Sequence, residues 1–274
     1  MLKYITYPIF LFISILGVSL IEHDKGLAVS ALLVGAILLM FWFELKHSYR
    51  LSWSWTCSTL KRDVLHFFTN HSLLTLSLVS ISVLDFKRFG FQLWPHEINF
   101  HLQTLVAIFI LDFGITITHY FSHKVELLWK FHEPHHSLSG LYGFNGLMKH
   151  PVHQLIESTM GVFPLLVMGV NSEVLQAVTF CVSIQLLLQH SNVDYTVGPL
   201  RFLLAVAENH RFHHAKGPEG NVNFGLFFTV WDYLLGTLKF EKDDKTLEVG
   251  LIEEYPQQYI AQLIEPYIRI RRKK

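Results

Sequence analysis

Seventeen histidines stand in this chain of 274 residues, and their spacing says more than their number. His119-Tyr-Phe-Ser-His123 places two imidazoles four residues apart, and His132-Glu-Pro-His135-His136 and His210-Arg-Phe-His213-His214 each place three at i, i+3 and i+4. On a helix such positions share one side, so each group can offer several ring nitrogens to one centre. A ninth candidate, His190, closes an apolar run in Gln189-His190-Ser191. Buried imidazoles need partners, and a metal ion takes the lone pair of each neutral ring. A structural zinc needs four ligands and a catalytic zinc about three, so eight or nine imidazoles imply two ions. Two octahedral ions offer about twelve positions, which leaves roughly three for water or oxygen species. Imidazole suits iron, copper, nickel and zinc alike, so spacing leaves the metal open. Open positions beside a membrane fit dioxygen activation on an apolar substrate, because no side chain attacks an unactivated C–H bond unaided.

Other polar residues could support such a centre. Asp112, Thr116, His119 and His123 share one helical face, with Asp112 deeper in the bilayer, where an ionisable group is costly and by default functional. Metal-bound histidine usually donates its second N–H to a carboxylate or carbonyl, so Asp112 is expected to hold a ligand ring. Asp232 is a similar candidate, although Trp231-Asp232 could equally cap a helix. His150, in Lys149-His150-Pro151-Val152-His153, is a candidate for the outer layer of the centre or for a capping role. Glu126, Glu157 and Glu208 carry no distinguishing signal. His23, His47, His66, His71, His96 and His101 fall outside the motifs and are expected to be structural or solvated.

The elements that must position these rings are membrane helices. Only 16% of residues are charged and the mean hydropathy is +0.33, too apolar to cover a water-exposed surface. Formal net charge is zero, which gives no footing for nucleic acid as a partner. Cys57 and Cys181 are too few for a disulfide framework and match no zinc-finger spacing. About 20 apolar residues cross a bilayer, and Tyr4–Ile21, Leu27–Phe43, Val64–Leu84 and Phe100–Thr118 are candidate spans. The first has a weak basic flank and no cleavage site before the second, so it is read as retained. A later hairpin, roughly Ser158–Val170 and Glu173–Gln189, turns at Gly169, Asn171 and Ser172 and is expected to be re-entrant or tilted. The fold expected is an all-α integral membrane bundle of about four spans plus that hairpin, under a His-rich cap.

With the amino terminus inside, only Lys25, Lys87 and Arg88 of the 22 basic residues fall outside. That imbalance puts both termini and the histidines in the cytoplasm. Three regions follow: 1–99 as an amino-terminal membrane part, 100–238 around the metal centre, and 239–274 as a carboxyl-terminal segment. Lys239–Lys245 reads as a charged surface loop, and Glu248–Arg272 as an amphipathic helix with a basic tail.

Residues Thr104–Leu238 resemble the fatty acid hydroxylase superfamily, which includes sterol desaturases, sphingolipid and fatty acid hydroxylases, and alkylglycerol monooxygenase. The resemblance rests on Asp112, His119-x-x-x-His123 and Leu128-Trp129-Lys130-Phe131-His132-x-x-His135-His136-Ser137. It continues in His210-Arg211-Phe212-His213-His214, Asn223-Phe224-Gly225 and Trp231-Asp232-Tyr233-Leu234-Leu235-Gly236-Thr237. It implies a helical membrane bundle, a non-haem centre of two iron ions at the membrane surface, and hydroxylation or desaturation of a lipid with dioxygen and external electrons. Zinc could substitute for iron. His190 matches the family's lone histidine before the last triad, and Asp194 stands where some members have a further one. Asp194 could therefore ligate, support a ligand, or do neither. The membrane in question would be the inner membrane in a bacterium or the endoplasmic reticulum in a eukaryote.

Hydroxylation of a lipid is the leading expectation. A desaturase on the same centre shares the first hydrogen abstraction. A non-catalytic zinc protein or metal transporter is the different class; a transporter places ligands near the midplane of several spans, whereas these groups sit at span ends.

Overall fold

The computed structural model describes residues 2–84, 91–240 and 246–272. Ten α-helices account for most of them: α1 Leu2–Glu22, α2 Gly26–Lys46, α3 Cys57–Leu84, α4 Phe100–Lys124, α5 Glu126–His136, α6 Pro151–Met168, α7 Ser172–His190, α8 Ala207–His213, α9 Val230–Leu235 and α10 Tyr259–Arg271. Among the described residues there are isolated bridges but no strands. Lys87, Arg88, Lys273, Lys274 and most of the Lys239–Lys245 segment lie outside the described residues.

Among the described residues, α1, α2, α4 and α7 are long and apolar enough to cross a membrane. Leu11, Phe12, Val34, Leu38, Phe109 and Phe113 stand exposed on three of them, a surface suited to lipid rather than water. The second arm of the hairpin, α7, has the length and hydropathy of a full span. The expected third span, Val64–Leu84, lies within α3, whose first turns carry Arg62, Asp63, His66 and Asn70 buried against protein. The first arm, α6, falls short of that hydropathy, carrying His153, Glu157 and Pro164.

The bundle has two ends. At one, Asp24 takes positive φ in the α1–α2 turn, Ser19 meets His101 at 3.0 Å, and Leu93 and Trp94 donate to the Met168 carbonyl beside Gly169 (φ 85°). At the other end, α2 sends Glu44 Oε1 to the N–H groups of Gly143 and Asn192, at 2.7 and 2.9 Å. Tyr142 donates there to Asp63 of α3. The histidine motifs sit at this second end, where α4 and α7 finish and α6 begins. His150 accepts from Val152 N at 3.1 Å and Pro151 takes the first helical position, where its missing N–H costs nothing. Pro134 lies in the last turn of α5, where only two residues follow it. The amphipathic segment expected from Glu248 becomes helical only at Tyr259, after Pro256, and α10 packs on α3 and α5.

α4 is the central helix, packed against α6, α7 and α1. Its approach to α6 depends on Gly114, where a Cβ would fall 2.3 Å from the Met160 carbonyl oxygen. Backbone cannot yield as a flexible side chain does. Gly114→Ala should therefore cost about 1–3 kcal/mol, read as a lower thermal unfolding midpoint of the full chain in detergent. An unchanged midpoint would show that the two helices separate freely.

Candidate metal centre

Each histidine motif arrives on a helix end. α4 carries His119 and His123 on its last turns, α5 carries His132, His135 and His136, α7 ends on His190, and α8 carries His210 and His213 with His214 as its C-cap. The structure brings all nine together in two sets. His119, His123, His132, His136 and His213 form one; His135, His190, His210 and His214 form the other, with ligand atoms inside each set within 4.8 Å of one another. All are buried except half-buried His123. Each triad is therefore divided, a partition that spacing alone does not reveal. His132 and His136 serve the first set while His135, turned about 100° from His136, serves the second. The last triad divides the opposite way, His213 alone joining the first set.

The orientation of the rings is set by what their Nδ1 atoms meet. His119 faces the Phe224 carbonyl at 3.0 Å, His213 that of Val222 at 2.9 Å, His135 that of Met148 at 2.9 Å and His190 that of Leu186 at 3.2 Å. His123 faces Asn221 Oδ1 at 3.1 Å. A carbonyl only accepts, so these rings carry their proton on Nδ1 and present Nε2 as a lone pair. The Nε2 atoms then converge. His135 and His190, both fixed this way, face each other at 3.2 Å, and His190, His210 and His214 form a triangle with all three edges 3.2 Å. In the first set, His136 stands 3.0 Å from His132 and 3.2 Å from His123. His119 Nε2 and His213 Nε2 are buried with no hydrogen-bond partner.

Two lone pairs at hydrogen-bond distance repel unless a proton or a cation lies between them. Protons are disfavoured here. Burial, followed by the neighbouring imidazoles, holds His132, His136, His210 and His214 well below the usual histidine range; His135 and His213 are likewise depressed, by burial first and then by His190 and His119 respectively. A cation about 2.1 Å from each nitrogen would instead give nitrogen–nitrogen edges of about 3.0–3.4 Å, which the observed separations fit. Donor type narrows the chemistry further: neither set includes a carboxylate or a thiolate among the described residues, which suits a borderline transition ion rather than magnesium or calcium.

The carboxylates predicted to hold ligand rings act one step further away. Asp112 is fully buried and accepts from the N–H groups of Leu226, Phe227 and Phe228 at 3.1, 2.9 and 2.9 Å, and from Trp231 Nε1 at 3.0 Å. Asp232 accepts from Phe224 N, Gly225 N and the Thr237 hydroxyl at 2.7, 2.8 and 2.7 Å. Neither meets an imidazole. Together they fix the 221–228 loop, and that loop supplies Asn221, Val222 and Phe224 to three rings of the first set. Asn223, at φ 55°, anchors the same loop through Asn209 O and Lys239.

Two further candidates, left open by the sequence, lie outside both sets. Asp194 joins neither set; its carboxylate pairs with Lys3 at 3.5 Å. His150 caps α6 and meets the Leu263 carbonyl at 3.2 Å instead of a ligand ring. Its neighbour His153 is the one at the centre, packed on His132 with ring centroids 4.3 Å apart and bonded to Ser122 Oγ at 2.9 Å. The i, i+3 spacing of His150 and His153 was the available signal, and only the direction of α6 tells them apart. Of the remaining histidines, His66 is structural, held between Lys149 O and Gln262 Oε1.

Two cavities flank the sets. One, of about 360 Å³, opens on His123, His136 and His213 beside Trp129, Asn221 and Arg269. The other, of about 90 Å³ and mainly apolar, lies between α3, α4, α6 and α7. Three of its wall residues are close in the chain to site residues: Ile115 lies one turn before His119, Leu186 one turn before His190, and Leu226 two residues past Phe224.

A sequence model of the fatty acid hydroxylase family matches residues 104–237. The ornithine lipid hydroxylase OlsE of Rhizobium tropici is 31% identical over 182 residues, 66% of this chain and 55% of that protein. Sphingolipid C4-hydroxylase sur2 of Schizosaccharomyces pombe is 31% identical over 153 residues, covering 53% of this chain and 51% of its own. Human alkylglycerol monooxygenase is 28% identical over 142 residues, covering 52% and 31%. The chain thus spans about half, or less, of the length of these relatives. No solved structure matches it.

Proposed function

The chain belongs to the fatty acid hydroxylase superfamily, and from that premise we propose that it hydroxylates a membrane lipid at two iron ions held by its nine clustered histidines. The observation that carries this reading is placement: two sets of converging imidazoles stand at helix ends, and Ile115 and Leu186, one helical turn before His119 and His190, line an apolar cavity. The ions would supply dioxygen activation and the oxidising equivalents that break a C–H bond, which no side chain offers.

The chain's own residues bind, orient and exclude water. Backbone carbonyls of Phe224, Val222, Met148 and Leu186 hold protons on Nδ1, which keeps each Nε2 free toward the centre. Asp112 and Asp232 hold the loop that supplies two of those carbonyls. Leu111, Ile115, Leu186 and Leu226 give the cavity an apolar wall against which an acyl or alkyl chain packs, with its reacting carbon turned toward His119 and His190. The overall balance takes R–H, dioxygen, two electrons and two protons to R–OH and water, so an external donor supplies two electrons. Zinc in the same positions would leave the protein without this reaction, since it has no redox chemistry.

Residues 100–238 form the catalytic unit in this reading, 1–99 the membrane part that braces it, and 239–274 the segment closing over α3 and α5. The basic-residue bias supports a cytoplasmic face for the centre and both termini in this reading.

The test is isotopic. Membranes from cells expressing the chain, given a reductant system and ¹⁸O-labelled dioxygen, should yield one lipid class carrying a single labelled oxygen. Loss of two hydrogens without label would assign desaturation instead. A protein that purifies with zinc, and consumes no dioxygen after iron loading with any reductant, would overturn the oxygenase reading.

A further inference from the structure

The apolar cavity between α3, α4, α6 and α7 has a polar end, and its hydrogen bonding is incomplete in a specific way. Asn70, on α3 and 7% exposed, donates Nδ2 to the Lys149 carbonyl at 2.9 Å. That carbonyl fixes which end of the amide is the donor, leaving Asn70 Oδ1 as the acceptor; this oxygen is buried with no partner. Lys149 Nζ meets Glu157, and its side chain is only 10% exposed. An ammonium has three protons, so two of the Lys149 protons have no acceptor among the described residues. Asn70, Lys149 and Glu157 all line this cavity, while Leu111, Ile115 and Leu186 line its apolar part. A buried acceptor lacking a donor thus stands in one small cavity with a buried donor lacking acceptors. Each costs free energy until a ligand group completes it.

We propose that this end of the cavity recognises the polar junction of a lipid that both donates and accepts, a secondary amide or a free hydroxyl, with the N–H or O–H on Asn70 Oδ1 and the oxygen on Lys149 Nζ. The proposal rests on the lipid-hydroxylase reading and adds the substrate's linkage chemistry to it. An ester or ether only accepts and leaves Asn70 Oδ1 dry, so such lipids bind less tightly. Glu157 holds the Lys149 ammonium in place and keeps the pair neutral in an apolar wall. Ile115 and Leu186, in the apolar part of the cavity, lie one helical turn before His119 and His190, so the chain carbons packed there are the ones presented to the centre.

The experiment is equilibrium binding of labelled probes to the full chain in detergent with its metals in place. N-hexadecanoylglycine methyl ester is compared with its oxygen-ester counterpart and with its N-methyl amide; 1-hexadecanol is compared with its methyl ether. The donor-bearing probe should bind about tenfold tighter or more than its donor-free partners. Asn70→Leu should narrow that gap to within about threefold while leaving the ester's affinity in place. The N-methyl comparison needs no variant, so a misfolded Asn70→Leu protein does not spare the proposal. A preference in the amide pair assigns the junction to an amide, and one in the alcohol pair assigns it to a hydroxyl. Equal affinities in both pairs, or a preference that survives Asn70→Leu, would overturn it. Oxygen incorporation is scored separately: labelled product without any donor preference removes this inference alone, and donor preference without oxygenation removes the catalytic reading alone.

Discussion

Changing His210 and His214 together to alanine is expected to lower metal content from two ions per chain to one and to reduce lipid hydroxylation on the order of a thousandfold or more. The pair supplies two of the four nitrogens of the second set, and the remaining His135 and His190 are too few to hold a transition ion tightly. The first set keeps all five of its imidazoles, so one ion should stay. Metal analysis of the purified protein distinguishes this from general loss of structure, as does the exposed-histidine control His23→Ala, which should retain both ions and full activity. Two ions retained by the double variant would sink the ligand assignment. Loss of both ions from a protein that unfolds at its usual temperature would show that the two sets bind as one unit.

Asp112→Ala carries the second largest expected effect, through a different route. The carboxylate is the acceptor for three consecutive backbone N–H groups on the segment that leads into α9, and for the indole of Trp231 in α9 itself. Alanine leaves those donors buried and unmet, a loss of about 3–5 kcal/mol allowing for non-additivity. Asp112→Asn keeps part of the acceptor and should lose about 1–3 kcal/mol. Stability alone would not separate a positioning residue from a merely structural one. Loosening the 221–228 loop releases the outer partners of His119, His123 and His213, so metal affinity should also weaken about 10- to 100-fold, seen as faster loss to a chelator. Leu165→Ala, a fully buried core change remote from that loop in sequence, should lower the unfolding midpoint without speeding metal loss. Equal chelator sensitivity in the two variants would reduce Asp112 to a packing role.

Much of this was legible because the informative residues are local. The i, i+4 relations of His119 with His123, and of His132 with His136, survive in the fold because helices impose them whatever surrounds them. Apolar runs marked α1, α2 and α4 for the same reason. Tertiary arrangement decided the rest. Whether His135 turns to the set of its neighbour His136 or away from it depends on where α7 ends and α8 crosses, which no window of sequence contains. In α3, the apolar run marked the helix, but that Arg62, Asp63, His66 and Asn70 face protein instead of lipid is set by the packing of neighbouring elements. Asp112 and Asp232 stood out as acids expected to hold ligand rings, and neither meets one. Their partners were backbone amides more than a hundred residues away in one case and seven or eight in the other, and amides leave no mark in a sequence. His150 and His153 were separable only by the direction in which α6 leaves the centre.

Four of the five groups that orient ligand rings are main-chain carbonyls, those of Met148, Leu186, Val222 and Phe224, and any amino acid brings the same oxygen. Heritable variation at these positions is therefore filtered for packing, with the hydrogen bond passing unseen. A complete side-chain scan of Met148 and Val222 would report tolerance of similar volumes and never reveal what their oxygens do. Insertion of one residue between Asn221 and Phe224 would reveal it, because what is inherited there is the path of the backbone and its length.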